Sequence, residues 1–184
     1  MQHTLALLVV NRPTVLSHIA SLVSRRGYNI ESIAAGATEE VGVTRITLVV
    51  NTEDYDIEQV IQQLLKLVDV IHVENISEKK SIQRELAMIK VRALPEIRSD
   101  IVDIVSIFRA KIVNVNNESM VVELSGESDK IDALAEVLAA HGIIEMVRTG
   151  CIALTRGVQG VKDSMPAVRK FKDVNAANDN LLNY

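Results

Sequence analysis

The order in which apolar runs and helical stripes follow one another is the feature that most restricts this chain. Residues 4–10 (TLALLVV) form an apolar run of strand length, rich in Leu and Val. Asn11-Arg12-Pro13-Thr14 breaks the run with turn residues, and Pro13 or Thr14 starts a helix. Val15, Leu16, Ile19, Leu22 and Val23 then fall at the spacing of one buried helical face. Gly27 supplies the left-handed residue that ends such a helix. Residues 29–38 and 43–50 read as two further strands joined by a hairpin across Glu39-Glu40-Val41-Gly42. Asp54 or Asp56 caps a second helix, with Ile57, Val60, Ile61, Leu64 and Leu65 on one face. Lys66-Leu67 leads into a fourth strand over residues 68–76. Strand, helix, two strands, helix, strand is the split-βαβ or ferredoxin-like unit.

The same order then returns without repeating residue identities. A polar link over residues 77–84 (SEKKSIQR) has the composition of a domain boundary. A strand over 86–93 follows, then a helix from Ser99 or Asp100 through Phe108. Residues 111–115 and 120–124 form a hairpin around Asn116-Asn117-Glu118, ahead of a helix over 128–140 and a strand over 143–147. A length of 184 residues admits one domain or two; the repeat of element order selects two. The expectation is an α+β chain of two consecutive ferredoxin-like βαββαβ domains, residues 1–77 and 84–157, followed by a polar tail over 158–184. Residues 173–180 (DVNAANDN) carry no apolar period, so the tail is either disordered or ordered against a partner. With aromatics at 3% and no Trp, the core is built from Val, Ile, Leu and Ala.

Several function classes are poorly served by these residues. The net charge of −4 disfavours a phosphate-neutralising surface. The strands expected in the first domain carry no aromatic on which a base could stack, apart from Tyr28 just before the second. His3, His18, His72 and His141 fall on different elements, without the spacing of a zinc helix. There is no G-x-S-x-G elbow and no Gly-rich or Walker-type phosphate cradle. The single Cys151 sits among apolar residues, reads as a small buried hydrophobe and has no evident His partner. One cysteine makes no internal disulfide. No apolar stretch is long enough to cross a bilayer, and no basic leader precedes the first strand. The expectation is a cytoplasmic, non-catalytic protein without a metal site, nucleic-acid partner or membrane association.

The informative segment is residues 11–36. A strand ends in an Asn-x-Pro turn and feeds a helix, so unpaired N–H groups and the positive end of the helix dipole meet in one place, which suits a carboxylate. If the first two strands are neighbours, the amide of Asn29 meets a zwitterionic ligand from the other side. The alternative is that Asn11 and Asn29 only cap and turn the chain.

Arg25-Arg26-Gly27-Tyr28-Asn29-Ile30-Glu31-Ser32 resembles the most recognisable stretch of the ACT domain of acetolactate synthase (acetohydroxyacid synthase) small subunits. Asn11, Pro13, Val15, Leu16 and Ser17 fit the loop that precedes it, and Gln63-Leu64-x-Lys66-Leu67-Val68-Asp69-Val70 is similar to the second helix leading into the last strand. The second half resembles the same family through Arg84-Glu85-Leu86-x-Met88-Ile89-Lys90-Val91 and Ile107-Phe108-Arg109-Ala110-Lys111-Ile112-Val113. Leu124-Ser125-Gly126, Lys130-Ile131-Asp132-Ala133, Arg148-Thr149-Gly150 and Arg156-Gly157 extend the likeness, which covers about residues 3–157. The resemblance implies a regulatory subunit that activates a catalytic partner and confers feedback inhibition by a branched-chain amino acid such as valine. It implies that thiamine diphosphate, Mg and FAD belong to the catalytic subunit and that this chain carries no cofactor. It implies two ACT domains paired side by side as a homodimer, with Asn11, Val15, Leu16, Asn29 and Ile30 lining an effector site at their interface. A free-standing amino-acid sensor for a different partner is the alternative.

The chain departs from the family loop at Thr14, where Gly is usual. Gly admits positive φ and close approach of a ligand, whereas a β-branched residue adds bulk and prefers negative φ. The expectation is a weakened or altered response to valine.

Overall fold

The computed structural model describes residues 1–164. They form two compact units, residues 1–82 together with the stretch from Ala153, and Gln83–Ile152.

The first unit runs β1 (Gln2–Val10), α1 (Val15–Arg25), β2 (Asn29–Ala37), β3 (Val43–Asn51), α2 (Asp54–Leu64) and β4 (Val70–Asn75). Its antiparallel sheet has the order β2-β3-β1-β4, which leaves β2 and β4 at the edges. Because successive side chains in a strand point to opposite faces, β1 serves two cores. Leu5, Leu7 and Val9 join Ile46, Leu48 and Val50 against Ile19 and Val23 of α1 and Ile57, Val60 and Leu64 of α2. Ala6, Leu8 and Val10 cluster on the other side with Val43, Ile71, Ile76, Ala153 and Val161. Burial on both faces is why the first strand reads as a continuous apolar run rather than an alternating one.

The second unit repeats the plan with β5 (Ser81–Arg92), a 3-10 turn (Pro95–Ile97), α3 (Arg98–Ile107), β6 (Lys111–Val115), β7 (Ser119–Gly126), α4 (Ser128–Ala139) and β8 (Ile143–Arg148). The sheet order is β6-β7-β5-β8, again antiparallel. Ala87, Ile89 and Val91 of β5 pack with Met120, Val122 and Leu124 of β7 against Ile101 and Val105 of α3 and Ile131, Leu134 and Leu138 of α4. Glu85 is 6% exposed in this unit. It accepts two hydrogen bonds from Arg148, Nε to Oε1 at 2.9 Å and Nη2 to Oε2 at 2.6 Å, and a third from Ser128 Oγ at 2.9 Å. Burial alone would raise the Glu85 carboxyl, but the hydrogen bonds from Arg148 and Ser128 and the guanidinium charge bring it below the ordinary carboxylate value.

The α+β class and the twofold βαββαβ order are those expected from the sequence. The differences lie at element ends. The second helix starts at Asp54, with extended Glu53 as its N-cap and no side-chain cap, so neither Asp54 nor Asp56 caps it. The third starts at Arg98 rather than Ser99 or Asp100, because Pro95–Ile97 already turns as a 3-10 segment. The fourth strand is shorter than residues 68–76, since Val70 N donates back to Leu67 O in a turn. The polar link is also shorter, because Ser81–Arg84 begins β5. A short strand, β9 (Ile152–Thr155), pairs with β5 and was not anticipated. Of the expected tail, Val161–Ser164 form a 3-10 turn and Val161 is buried; the expectation for residues 173–180 falls outside the described residues.

The segment from β9 onward is held to the first sheet by polar contacts as well as by Ala153 and Val161. Arg45 Nη2 donates to Ala153 O at 2.7 Å, and His72 Nε2 lies 2.9 Å from Ser164 Oγ. Lys162 Nζ reaches Glu39 Oε1 at 2.6 Å and also Glu40, both in the turn between β2 and β3.

Candidate functional site

The loop from β1 to α1 is pinned at both ends. Asn11 N donates to Gly42 O at 2.8 Å and Arg12 N to Val10 O at 2.9 Å. Arg12 Nη1 reaches Asp69 Oδ1 at 3.3 Å. Thr14 is the N-cap of α1 and holds φ 77°, ψ −18°, in the left-handed region. Among the described residues only Arg109 shares a positive φ without being glycine. The backbone has therefore kept the conformation that glycine would take most easily. Thr14 O accepts from Ser17 Oγ at 2.7 Å and His18 N at 3.0 Å, and the Thr14 hydroxyl makes no cap. Leu16 and Ser17 N–H find no backbone acceptor among the described residues, so the first turn of α1 presents donors and the positive dipole end outward.

The five candidate residues occupy different surroundings. Val15 is 4% exposed and belongs to the core, whereas Leu16 is 47% exposed. Asn11 and Asn29 are exposed, and Ile30 is half-buried against the core under α1 and α2. Asn29 Nδ2 donates to Glu31 Oε1 at 3.0 Å, while its carbonyl oxygen accepts nothing from the described residues. Glu31 was not singled out in the sequence, although two positions along a strand return to the same face.

The condition for Asn29 to meet a ligand held at Asn11 is not satisfied within a single copy. The first two strands are not neighbours, since β3 lies between β1 and β2. Moreover, Val10 pairs with Val43 while Asn29 pairs with Asn51. Asn11 and Asn29 thus sit at opposite ends of β3, roughly 25 Å apart along the strand. The hairpin reverses the chain and the crossover over α1 does not, which the element order alone leaves undetermined. One chain does not bring the two amides to one ligand.

Among the described residues nothing pairs with the outer edge of β2, a nine-residue strand that includes Ile33-Ala34-Ala35-Gly36-Ala37, with no Pro and no Lys or Arg. Ile33 is 39% exposed. Beyond Glu31 and the register shift beside it, the uncharged run presents unpaired N–H and C=O groups as a template for pairing with another chain. Among the described residues no group of three His, Cys, Asp or Glu is arranged to hold a metal, and no helix is long and apolar enough to cross a membrane.

Comparison with known proteins adds sequence and structural relatives. Residues 5–72 match the family model described as an AHAS small subunit-like ACT domain, and residues 84–157 the model of the small subunit of acetolactate synthase. The acetolactate synthase small subunit of Bacillus subtilis is 48% identical over 160 residues, covering 86% of this chain and 93% of that protein. A probable acetolactate synthase small subunit of Archaeoglobus fulgidus is 46% identical over 157 residues, covering 85% and 98%. The crystal structure of the acetolactate synthase small subunit from Thermotoga maritima superposes with a TM-score of 0.79 at 36% identity, covering 86% of this chain and 99% of that one.

Proposed function

Because this chain belongs to the acetolactate synthase small-subunit family, we propose that it activates the thiamine-diphosphate-dependent catalytic subunit and makes it sensitive to a branched-chain amino acid such as valine. The observation that carries the effector half of this reading is the separation of Asn11 and Asn29 along β3. Two copies joined antiparallel through their β2 edges form one continuous sheet about a twofold axis. That operation carries Asn29 of the partner copy to the end of β2 where Ala37, Val43 and Asn11 lie. A site split across one chain becomes whole across two.

In that arrangement the effector carboxylate takes the N–H groups of Leu16 and Ser17, where donors and helix dipole coincide. The ammonium group takes the carbonyl oxygen of Asn29 from the other copy. Leu16 and Ile33, both exposed in the single chain, supply apolar surface for the branched side chain and for the pairing. Val15 and Ile30 act from within the core by fixing α1 and the start of β2. Effector binding then stabilises one arrangement of the paired domains, and the catalytic partner reads that arrangement through linkage.

The test is acetolactate formation by the cognate catalytic subunit, with and without this protein, across a valine titration. Activation that valine reverses is expected. Unchanged rates in the presence of folded protein refute the regulatory role and favour an amino-acid sensor for another partner. Sedimentation of Ala35→Pro provides a separate check, since a proline on the free edge should block pairing while the monomer stays folded.

A further inference from the structure

A cavity of about 230 Å³ opens in the first unit on β4, the sheet edge opposite β2. It is lined by polar residues and glycine, with no aliphatic side chain, so it suits a compact polar ligand rather than a branched amino acid. Three cations, Lys79, Lys80 and Arg156, and two carboxylates, Glu74 and Asp163, contribute to its wall.

The charges are not equally satisfied. Lys79 Nζ pairs with Glu74 Oε1, and Asp163 Oδ2 accepts from Gly160 N at 2.7 Å. Lys80 and Arg156 meet no carboxylate among the described residues, yet their backbones are joined by Arg156 N to Lys80 O at 2.8 Å. Like charges on these hydrogen-bonded segments, just before β5 and just after β9, repel, and an anion between them turns that repulsion into attraction. Glu74 is 9% exposed, and its Oε2 is buried without a donor. A buried acceptor left unpaired is costly and calls for a donor from ligand or water.

The wall is also preformed. Thr155 Oγ1 donates to Gln159 O at 2.9 Å and Ser164 Oγ to Val161 O at 2.8 Å. Gly157 holds φ +98°, a conformation that L residues rarely adopt, immediately after Arg156. The loop backbone is therefore fixed before binding, and the ordering cost falls on the Lys80 and Arg156 side chains. Arg156-Gly157, part of the sequence likeness noted above, has no role in the effector site.

We propose that this cavity binds a protonated oxyanion of the hydrogen-phosphate type, inorganic phosphate or a small phosphomonoester. Lys80 and Arg156 neutralise its oxygens, and the Glu74 carboxylate accepts its remaining P–OH proton. Sulfate carries no such proton at neutral pH, and its oxygens face the Glu74 carboxylate unfavourably.

The experiment is calorimetric titration of the full chain at neutral pH with inorganic phosphate, sulfate and glycerol 3-phosphate. Phosphate is expected to saturate and to bind about tenfold more tightly than sulfate. The Lys80→Gln/Arg156→Gln double variant, altered only at exposed side chains, is expected to lose about tenfold in phosphate affinity with an unchanged circular dichroism spectrum. Tighter binding of glycerol 3-phosphate than of phosphate assigns the site to an organic phosphomonoester, and weaker binding to free phosphate. Equal binding of sulfate and phosphate by the unmodified chain overturns the assignment without requiring any variant to fold. Equal phosphate affinity in the double variant overturns it too. Because Glu74 lies on the edge away from β2, loss of this site leaves the valine response intact, and the two readings fail separately.

Discussion

Replacing Thr14 with glycine should stabilise the protein, although it deletes a side chain. A β-branched residue held at φ 77° pays roughly 1–2 kcal/mol for the left-handed backbone. Glycine removes that cost but enlarges the unfolded ensemble, which takes back about 0.4–1 kcal/mol. The hydroxyl makes no cap bond, and both hydrogen bonds at this residue use its carbonyl oxygen, so no side-chain interaction is lost. The net gain is about 0.8 kcal/mol, or about 3–6 °C in Tm for a unit of this size. Thermal and urea unfolding followed by far-UV circular dichroism, without effector, measure it. Thr14→Ala is the control: it keeps a Cβ in the left-handed region and should gain much less than glycine. An unchanged or lowered Tm for Thr14→Gly refutes the strain assignment. The same variant should bind valine more tightly, and an unchanged inhibition midpoint removes Thr14 as a determinant of effector response.

Other substitutions test the packing and the polar cluster. Leu48→Ala, at a fully buried position between β3 and the helices, should cost about 2–5 kcal/mol in urea unfolding. Gly27→Ala meets no atom within 4 Å but must hold φ +78°, so it should cost about 1 kcal/mol through backbone strain alone. Arg148→Ala strands Glu85 in its buried position and should cost about 2–4 kcal/mol at neutral pH. The folded carboxyl of Glu85 is depressed, so its contribution is full above the unfolded carboxylate pKa of about 4.3 and fades as pH falls toward the folded value. Stability curves of the unmodified chain and of Glu85→Gln should therefore converge on acidification, and a constant gap would exclude this linkage.

Period and punctuation in the sequence determine the order of elements because each helix and strand carries its own apolar signal. Gly27 ends α1 as its position demands, and Arg26 and Gly27 donate back to Ser24 or Val23. Helix starts were harder to read. Glu53 is the extended N-cap of α2 without a side-chain cap, so Asp54 and Asp56 are misleading guides there, whereas α4 starts at Ser128 as expected. Strand β9 and the turn at Val161 escaped notice because a four-residue strand and one isolated valine have no period. Their burial depends on Leu8, Val10, Val43 and Ile71, all distant in sequence. The candidate effector residues rest on the family resemblance, and the placement of Asn11 and Asn29 at opposite ends of β3 depends on pairing that no local window contains.

The return of the chain to its first unit after Ile152 has a consequence for synthesis. A ribosome releases residues 1–82 well before Ala153 and Val161, so the nascent sheet waits with Ala6, Leu8, Val10, Val43 and Ile71 uncovered on one face. During that interval the exposed face is a target for chaperones or for other unfinished chains. Messages truncated before codon 153 would yield a sheet that cannot close that face, so protein quality control would meet truncation products here as sticky species rather than as benign half-length domains.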